Sequence, residues 1–342
     1  MVNRTVAGRY GVRLAVATAL AAALPGIGVQ ASAFADPTHD GGSYLVGTER
    51  IDDRQSTMTV HSASMDRDIP LRVITPADTS EPRPTLYLLN GVGGGEDDAS
   101  WQANTDTVEF FADKNVNVVT PMEGAYSYYT DWVQPDPVLG TNKWTTFLTQ
   151  ELPPIVDSAL GANGVNSIAG ISMAGTSVLS LAQSAPDLYE SVGAYSGCAM
   201  TSTLPGQAFV RTVVESRGGG NATNMWGPYD DPGWAANDPY VNAEKLRGLD
   251  IYVSNGTGLP GESDRLDGPG IDGDVAALAG QLVLGGVIEA ATNYCTQALA
   301  GKLYELGIPA TFDFRPTGTH SWSYWEEDLH KSWPMLAASM GL

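Results

Sequence analysis

The stretch Ser167-Ile-Ala-Gly-Ile-Ser-Met-Ala-Gly175 decides the architecture. Its opening residues form a short apolar run without alternation, the pattern of a strand covered on both faces. From Met173 to about Ser184 the chain reads as a helix. Ser172 stands at the junction among Gly170, Ala174 and Gly175, which leave room for a sharp turn. Similar apolar runs occur at 85–89, 117–120, 192–195 and 249–254. Helical stretches are expected between them, at 106–113, 143–159 and 241–247. This alternation predicts an α/β fold, with a mainly parallel central sheet flanked by helices on both faces. Before it, Ser56-Thr-Met-Thr-Val-His61 and Ile69-Pro-Leu-Arg-Val-Ile-Thr75 alternate like an antiparallel hairpin. Segments 203–239 and 255–274 are rich in Gly, Asp, Asn and Pro and are expected as long loops over the mouth of the site.

The 342 residues are 43% hydrophobic and 17% charged, a globular composition that excludes a disordered or fibrous chain. The formal net charge of -21 opposes binding to a phosphate backbone, so no nucleic-acid partner is expected. Residues 1–35 carry Arg4, Arg9 and Arg13, an apolar stretch and then Ala33-Phe-Ala35. They read as a secretory signal, with a membrane anchor as the alternative. A secreted single domain over 36–342 is expected, with 15 Lys+Arg against 39 Asp+Glu. No later run reads as long and apolar enough to span a bilayer. Cys198 and Cys295 are the only cysteines, and in a secreted chain a lone pair points to a disulfide, against two buried thiols.

A serine on a tight strand-to-helix turn, flanked by small residues, matches the nucleophile elbow of the α/β-hydrolases. The bland alternative is a helix cap. A serine nucleophile needs a base, and in this fold the order is serine, acid, histidine. Of four histidines, only His320 and His330 follow Ser172. His320 sits in the loop Gly318-Thr-His-Ser-Trp322 after an apolar strand at 311–314, whereas His330 falls within an amphipathic helix. His320 is therefore the expected base. Asp264, Asp267, Asp272 and Asp274 fall in the polar loop, where solvation accounts for them. Glu289 interrupts an apolar helical run, where a carboxylate is costly without a partner. Gly285 and Gly286 clear the same face for close approach. Glu289 is the expected acid, the alternative being a residue turned to solvent. The oxyanion donors are expected to be the backbone N–H groups of Met173 and Val92, the latter in Asn90-Gly-Val-Gly93. No G-K-[ST] follows the triglycine 93–95, so no phosphate cradle is expected there, and no metal site.

Several further pieces carry a resemblance. They are Leu88-Leu-Asn-Gly91 with Asp97-Asp98, Tyr129-Thr-Asp-Trp132, Trp144-Thr-Thr-Phe-Leu-Thr149, Met225-Trp-Gly-Pro228, Asn237-Asp-Pro239 and Gly318-Thr-His-Ser-Trp322. Together with the elbow, the chain resembles the mycolyltransferases of the antigen 85 complex family, especially their corynemycolyltransferase relatives, over about 69–342. The resemblance implies an α/β-hydrolase-fold enzyme without a cofactor. Its partners would be trehalose mycolates and cell-wall arabinogalactan. It implies a triad of Ser172, Glu289 and His320, with Val92 and Met173 as oxyanion donors. Asn90 stands where antigen 85 members carry an aspartate that touches trehalose, and Trp322 is expected to line the sugar site. The cysteine pair would tie the helix of Glu289 to the region after the strand at 192–195. Two rival functions remain open on sequence: a secreted carboxylesterase with the same triad, and a catalytically silent envelope-binding protein.

Overall fold

The computed structural model describes residues 41–342. The expected signal at 1–35 lies outside the described residues. Among the described residues, nine strands form one sheet in the order β1-β2-β3-β5-β4-β6-β7-β8-β9. β1 (Tyr44–Arg50), β2 (Gln55–Ser62) and β3 (Arg67–Ile74) run antiparallel, and β3 also pairs antiparallel with β5 (Asn117–Pro121). The rest is parallel: β4 (Thr85–Leu89), β5, β6 (Asn166–Ile171), β7 (Ser191–Tyr195), β8 (Asp250–Asn255) and β9 (Thr311–Phe314).

Every residue of β4, β5, β6 and β7 is buried, which is why these strands read as unbroken apolar runs. The two-residue period survives in where the side chains go. Tyr87 and Leu89 join one core, with Val178 and Trp144, while Leu86 and Leu88 join the other, with Trp101 and Leu336. The helices supplying those cores are Leu152–Leu160 and Met173–Ser184 on one face and Trp322–Ser339 on the other.

The hairpin at 56–61 and 69–75, the strand at 311–314 and the helix Met173–Ser184 stand where the sequence places them. Other expectations are corrected. Residues 106–113 hold only the short helix Thr107–Phe110, and 241–247 only the 3-10 turn Ala243–Leu246. Segment 203–239 is not a bare loop; it contains Leu204–Arg211, Ala222–Trp226 and Pro232–Ala236, each opened by a side-chain cap from Thr203, Asn221 or Asp231. β1 was not anticipated, because its mostly exposed residues show no apolar alternation. The largest difference is Val275–Leu306, a continuous 32-residue helix with an 18-residue window of mean hydropathy 1.6, by length and composition alone enough to cross a bilayer. Within it, Gln281–Gly285 forms a π-helical turn. Glu289, Cys295, Leu299 and Leu303 on this helix are buried in the domain.

Cys198 and Cys295 form a disulfide with Cα atoms 5.0 Å apart. It links the chain just after β7 to the Val275–Leu306 helix, across a separation of 97 residues. Closing a loop of that length stabilises by about 4–5 kcal/mol in the chain-entropy limit. Reduction and alkylation should therefore lower the unfolding free energy by roughly that amount, read from denaturant titrations of the two forms. An unchanged midpoint would show that the cross-link does not constrain the unfolded chain.

Candidate active site

Ser172 lies between β6 and its helix at φ 56 and ψ −120. A positive φ is costly for a residue with a Cβ, so the surroundings must enforce it. Its N–H donates to the Tyr195 carbonyl at 2.8 Å, fixing the turn against β7. A Cβ on Gly175 would come 2.6 Å from the same carbonyl oxygen, so only glycine fits there. A Cβ on Gly170 would meet the Ala174 Cβ at 2.9 Å. Gly170 thus makes the room that lets alanine stand at position 174.

His320 is carried by the loop after β9. Thr319 donates its hydroxyl to Asp264 at 2.6 Å, the Gly318 carbonyl accepts from the Gly258 N–H at 2.9 Å, and the Gly318 N–H donates to the Leu259 carbonyl at 2.7 Å. The φ of 114 at Gly318 requires glycine. Asp264 is corrected here from a solvated loop residue to a buried anchor. Its carboxylate also accepts from Gln281, the Gly261 N–H and the Tyr324 hydroxyl. Burial alone would raise this carboxyl; the bonds from Thr319, Gln281, Gly261 and Tyr324 outweigh it and hold the group below its ordinary value.

Glu289 is fully buried. Gly286 lets its helix approach the loop after β8, where a Cβ would come 2.7 Å from the Gly258 oxygen. The two carboxylate oxygens have different duties. Oε1 accepts from the Gly256 N–H at 2.6 Å, Asn255 Nδ2 at 2.9 Å, the Ser196 hydroxyl at 2.9 Å and Arg315 Nη2 at 3.2 Å. Oε2 accepts from His320 Nδ1 at 2.8 Å. A carboxylate only accepts, so Nδ1 carries the proton and Nε2 is left as an acceptor. The Ser172 hydroxyl donates to that Nε2 at 2.8 Å. The three residues singled out from sequence are thus brought into one relay. His330 instead pairs with Asp106 at 2.9 Å, and His61 with Asp68 at 2.8 Å.

The loop after β4 lies against the elbow: a Cβ on Gly91 would stand 3.6 Å from the Ser172 Cβ. Among the described residues, the N–H groups of Val92 and Met173 donate to no backbone acceptor. Met173 is the first residue of its helix, where N–H groups lack intrahelical partners. Asn90 is not at the surface of the site. It is fully buried; its amide donates to the Pro121 carbonyl at 3.1 Å, and its oxygen accepts from the Trp101 N–H at 3.2 Å. It braces the loop that carries Val92. Trp322 is half-buried, its ring edge-on to Trp101 at 5.8 Å and to Trp325 at 5.3 Å.

The Esterase family matches residues 62–336. The chain is 36% identical to the diacylglycerol acyltransferase/mycolyltransferase Ag85A of Mycobacterium leprae, over 83% of each chain. It is 32% identical to Ag85B of Mycobacterium intracellulare, over 97% of this chain and 95% of that one. The chain belongs to the Ag85 mycolyltransferase family. Among solved structures it is similar to MPT51 of Mycobacterium tuberculosis, with a TM-score of 0.70 and 27% identity over 84% of this chain and 100% of the other. An S-formylglutathione hydrolase of Agrobacterium tumefaciens shares the fold at 14% identity, with a TM-score of 0.59 over 87% of this chain and 99% of that one. The α/β-hydrolase fold and the membership in an enzyme family of acyltransferases both agree with the sequence-based expectation.

Sequence reasoning missed the groups behind Glu289. Ser196 follows β7, Asn255 ends β8, and Trp325 Nε1 donates to the Ser196 hydroxyl at 3.1 Å. Asp328 is fully buried and pairs with Arg315. One signal was available: Trp325, Asp328, Leu329, Ser332 and Leu336 share the buried stripe of the last helix, so Asp328 falls where an apolar residue belongs. Burial pushes its carboxyl up to about 6, against the pull of Arg315.

Proposed function

We propose that this protein is a secreted serine acyltransferase. It moves a mycolyl group from trehalose monomycolate to a second trehalose lipid or to cell-wall arabinogalactan. The Ser172–His320–Glu289 relay, with both bonds at 2.8 Å, carries the proposal. His320 Nε2 takes the Ser172 proton as Oγ attacks the ester carbonyl. The Val92 and Met173 N–H groups stabilise the oxyanion, and the helix N-terminus adds partial positive charge. His320 then protonates the departing trehalose hydroxyl, leaving mycolyl-Ser172. The acceptor hydroxyl enters, gives its proton to His320 and takes the acyl group, and His320 returns that proton to Ser172 Oγ. Glu289 holds the imidazole in the productive tautomer and stabilises its cation.

A lipid acyl donor fits the surface beside the relay. The Val275–Leu306 helix exposes Val275, Val283, Leu284 and Val287, immediately before buried Glu289. From 275 to 301 this helix carries no charged residue except Glu289. An uncharged, apolar flank on a chain of net charge -21 suits hydrocarbon better than a polar ester.

The deciding experiment is incubation with trehalose monomycolate and identification of every lipid product. Trehalose dimycolate with release of free trehalose is expected. Free mycolic acid alone would replace transfer by hydrolysis, the carboxylesterase alternative. No product, with no labelling by a serine-directed phosphonate, would leave a silent envelope-binding protein.

A further inference from the structure

Arg315 follows β9 with its side chain only 7% exposed. Nη2 donates to Glu289 Oε1 at 3.2 Å, while Nη1 donates to Asp328 Oδ1 on the other side. Asp328 lies on the last helix and Glu289 on the Val275–Leu306 helix, so one guanidinium bridges two elements that flank the sheet. Burial disfavours the arginine's charge, but Asp328 and Glu289 outweigh it and keep the group protonated.

A cation behind the triad carboxylate acts in two directions. It favours ionised Glu289, which His320 needs as a partner. It also opposes the second positive charge that forms on His320 when Ser172 loses its proton. Asp328 removes that conflict by balancing Arg315 from the far side. Glu289, Arg315 and Asp328 together then carry a single negative charge, which the imidazolium neutralises. The remaining groups around Arg315 do not upset this balance. Asp313 pairs with Lys331 at 3.3 Å and accepts from the Tyr252 hydroxyl at 3.2 Å. Burial raises the Tyr195, Tyr252 and Tyr324 hydroxyls far above neutrality, so they stay uncharged.

We infer that Arg315 and Asp328 form a buried, mutually neutralising pair that positions Glu289 and sets the charge His320 experiences. Both are positioning residues, since neither touches the reacting atoms. The inference rests on His320 being the base of the proposed acyl transfer.

The test is the pH dependence of acylation of the mature enzyme by a p-nitrophenyl ester, with melting curves for each variant. Arg315→Met removes the cation that holds Asp328 down, so Asp328 takes up a proton, the pair stays neutral and the acid limb should stay close to wild type. Asp328→Asn leaves the cation unbalanced, so the limb should move to lower pH by about 0.5–1 unit, with a reduced plateau. Arg315→Lys should keep the limb in place, and the double variant, neutral again, should restore it. A purely structural role would lower the plateau and the melting temperature but move no limb. No displacement in Asp328→Asn, or a displacement that the double variant does not reverse, overturns the inference. If Arg315→Met does not fold, Asp328→Asn against the neutral double variant gives the same contrast. Failure of the underlying assignment looks different: His320→Gln would then retain both the wild-type rate and its acid limb.

Discussion

Ser172→Ala is expected to abolish covalent labelling by a serine-directed phosphonate and to reduce acyl transfer by on the order of 10⁶-fold, the loss typical of a deleted triad nucleophile. Alanine keeps the Cβ, so the positive φ at 172 costs the same before and after. The backbone bond from residue 172 to the Tyr195 carbonyl also survives. The fold should therefore persist, with a melting temperature within a few degrees of wild type. What disappears is the hydroxyl that donates to His320 Nε2. The neighbouring Ser196 cannot take over, because it is buried and its hydroxyl is committed to Glu289 and to Trp325. Labelling of the alanine variant at another serine would remove the nucleophile assignment and the acyl-enzyme with it.

The relay was legible because each member breaks a local rule in a way that sequence displays. Ser172 interrupts an apolar strand-to-helix junction among small residues, Glu289 interrupts an apolar helix, and His320 follows glycine in a loop after a strand. Breaches of this kind mark sites, because burial must be compensated there. Asn90 shows the limit of that reasoning. Its place beside the oxyanion loop is right, but the direction of an amide at a strand end depends on partners such as Pro121 and Trp101 that only the fold assembles. Asp264 fails for a related reason. A polar neighbourhood along the chain hides the fact that Thr319, Gln281 and Tyr324 converge on it from 17 to 60 residues away. The same long-range assembly hides Arg315: nothing near it in the chain shows that it will lie between two buried carboxylates. The sheet order was legible only in part. Burial on both faces is a local pattern, whereas the exposed edge strand β1 pairs through its backbone and leaves little trace in its side chains.

Glu289→Gln should reduce turnover by on the order of 10⁴-fold with little change in fold, since the amide matches the carboxylate in size. The reason lies in the unequal surroundings of the two oxygens. Four donors converge on Oε1: the Gly256 N–H, Asn255 Nδ2, the Ser196 hydroxyl and Arg315 Nη2. An amide NH2 there would face donors only, so the amide oxygen must occupy that position. Its NH2 then faces His320 Nδ1, which stands 2.8 Å from Oε2 in the native enzyme. To accept from that NH2, Nδ1 must give up its proton, which moves the ring to the Nε2–H tautomer. The lone pair that should receive the Ser172 proton is then occupied, and the cation has no carboxylate beside it. Asp267→Asn, Asp272→Asn and Asp274→Asn should leave transfer close to wild type, because these residues are exposed. Asp264→Asn stands apart from them: it replaces one acceptor by a donor facing Thr319, Gln281 or Tyr324, and should lower the melting temperature and loosen the His320 loop. Transfer rates and melting curves for the five variants, measured together, separate these effects. Near-normal transfer by a folded Glu289→Gln enzyme would refute Glu289 as the acid while leaving the Ser172–His320 bond and its chemistry in place.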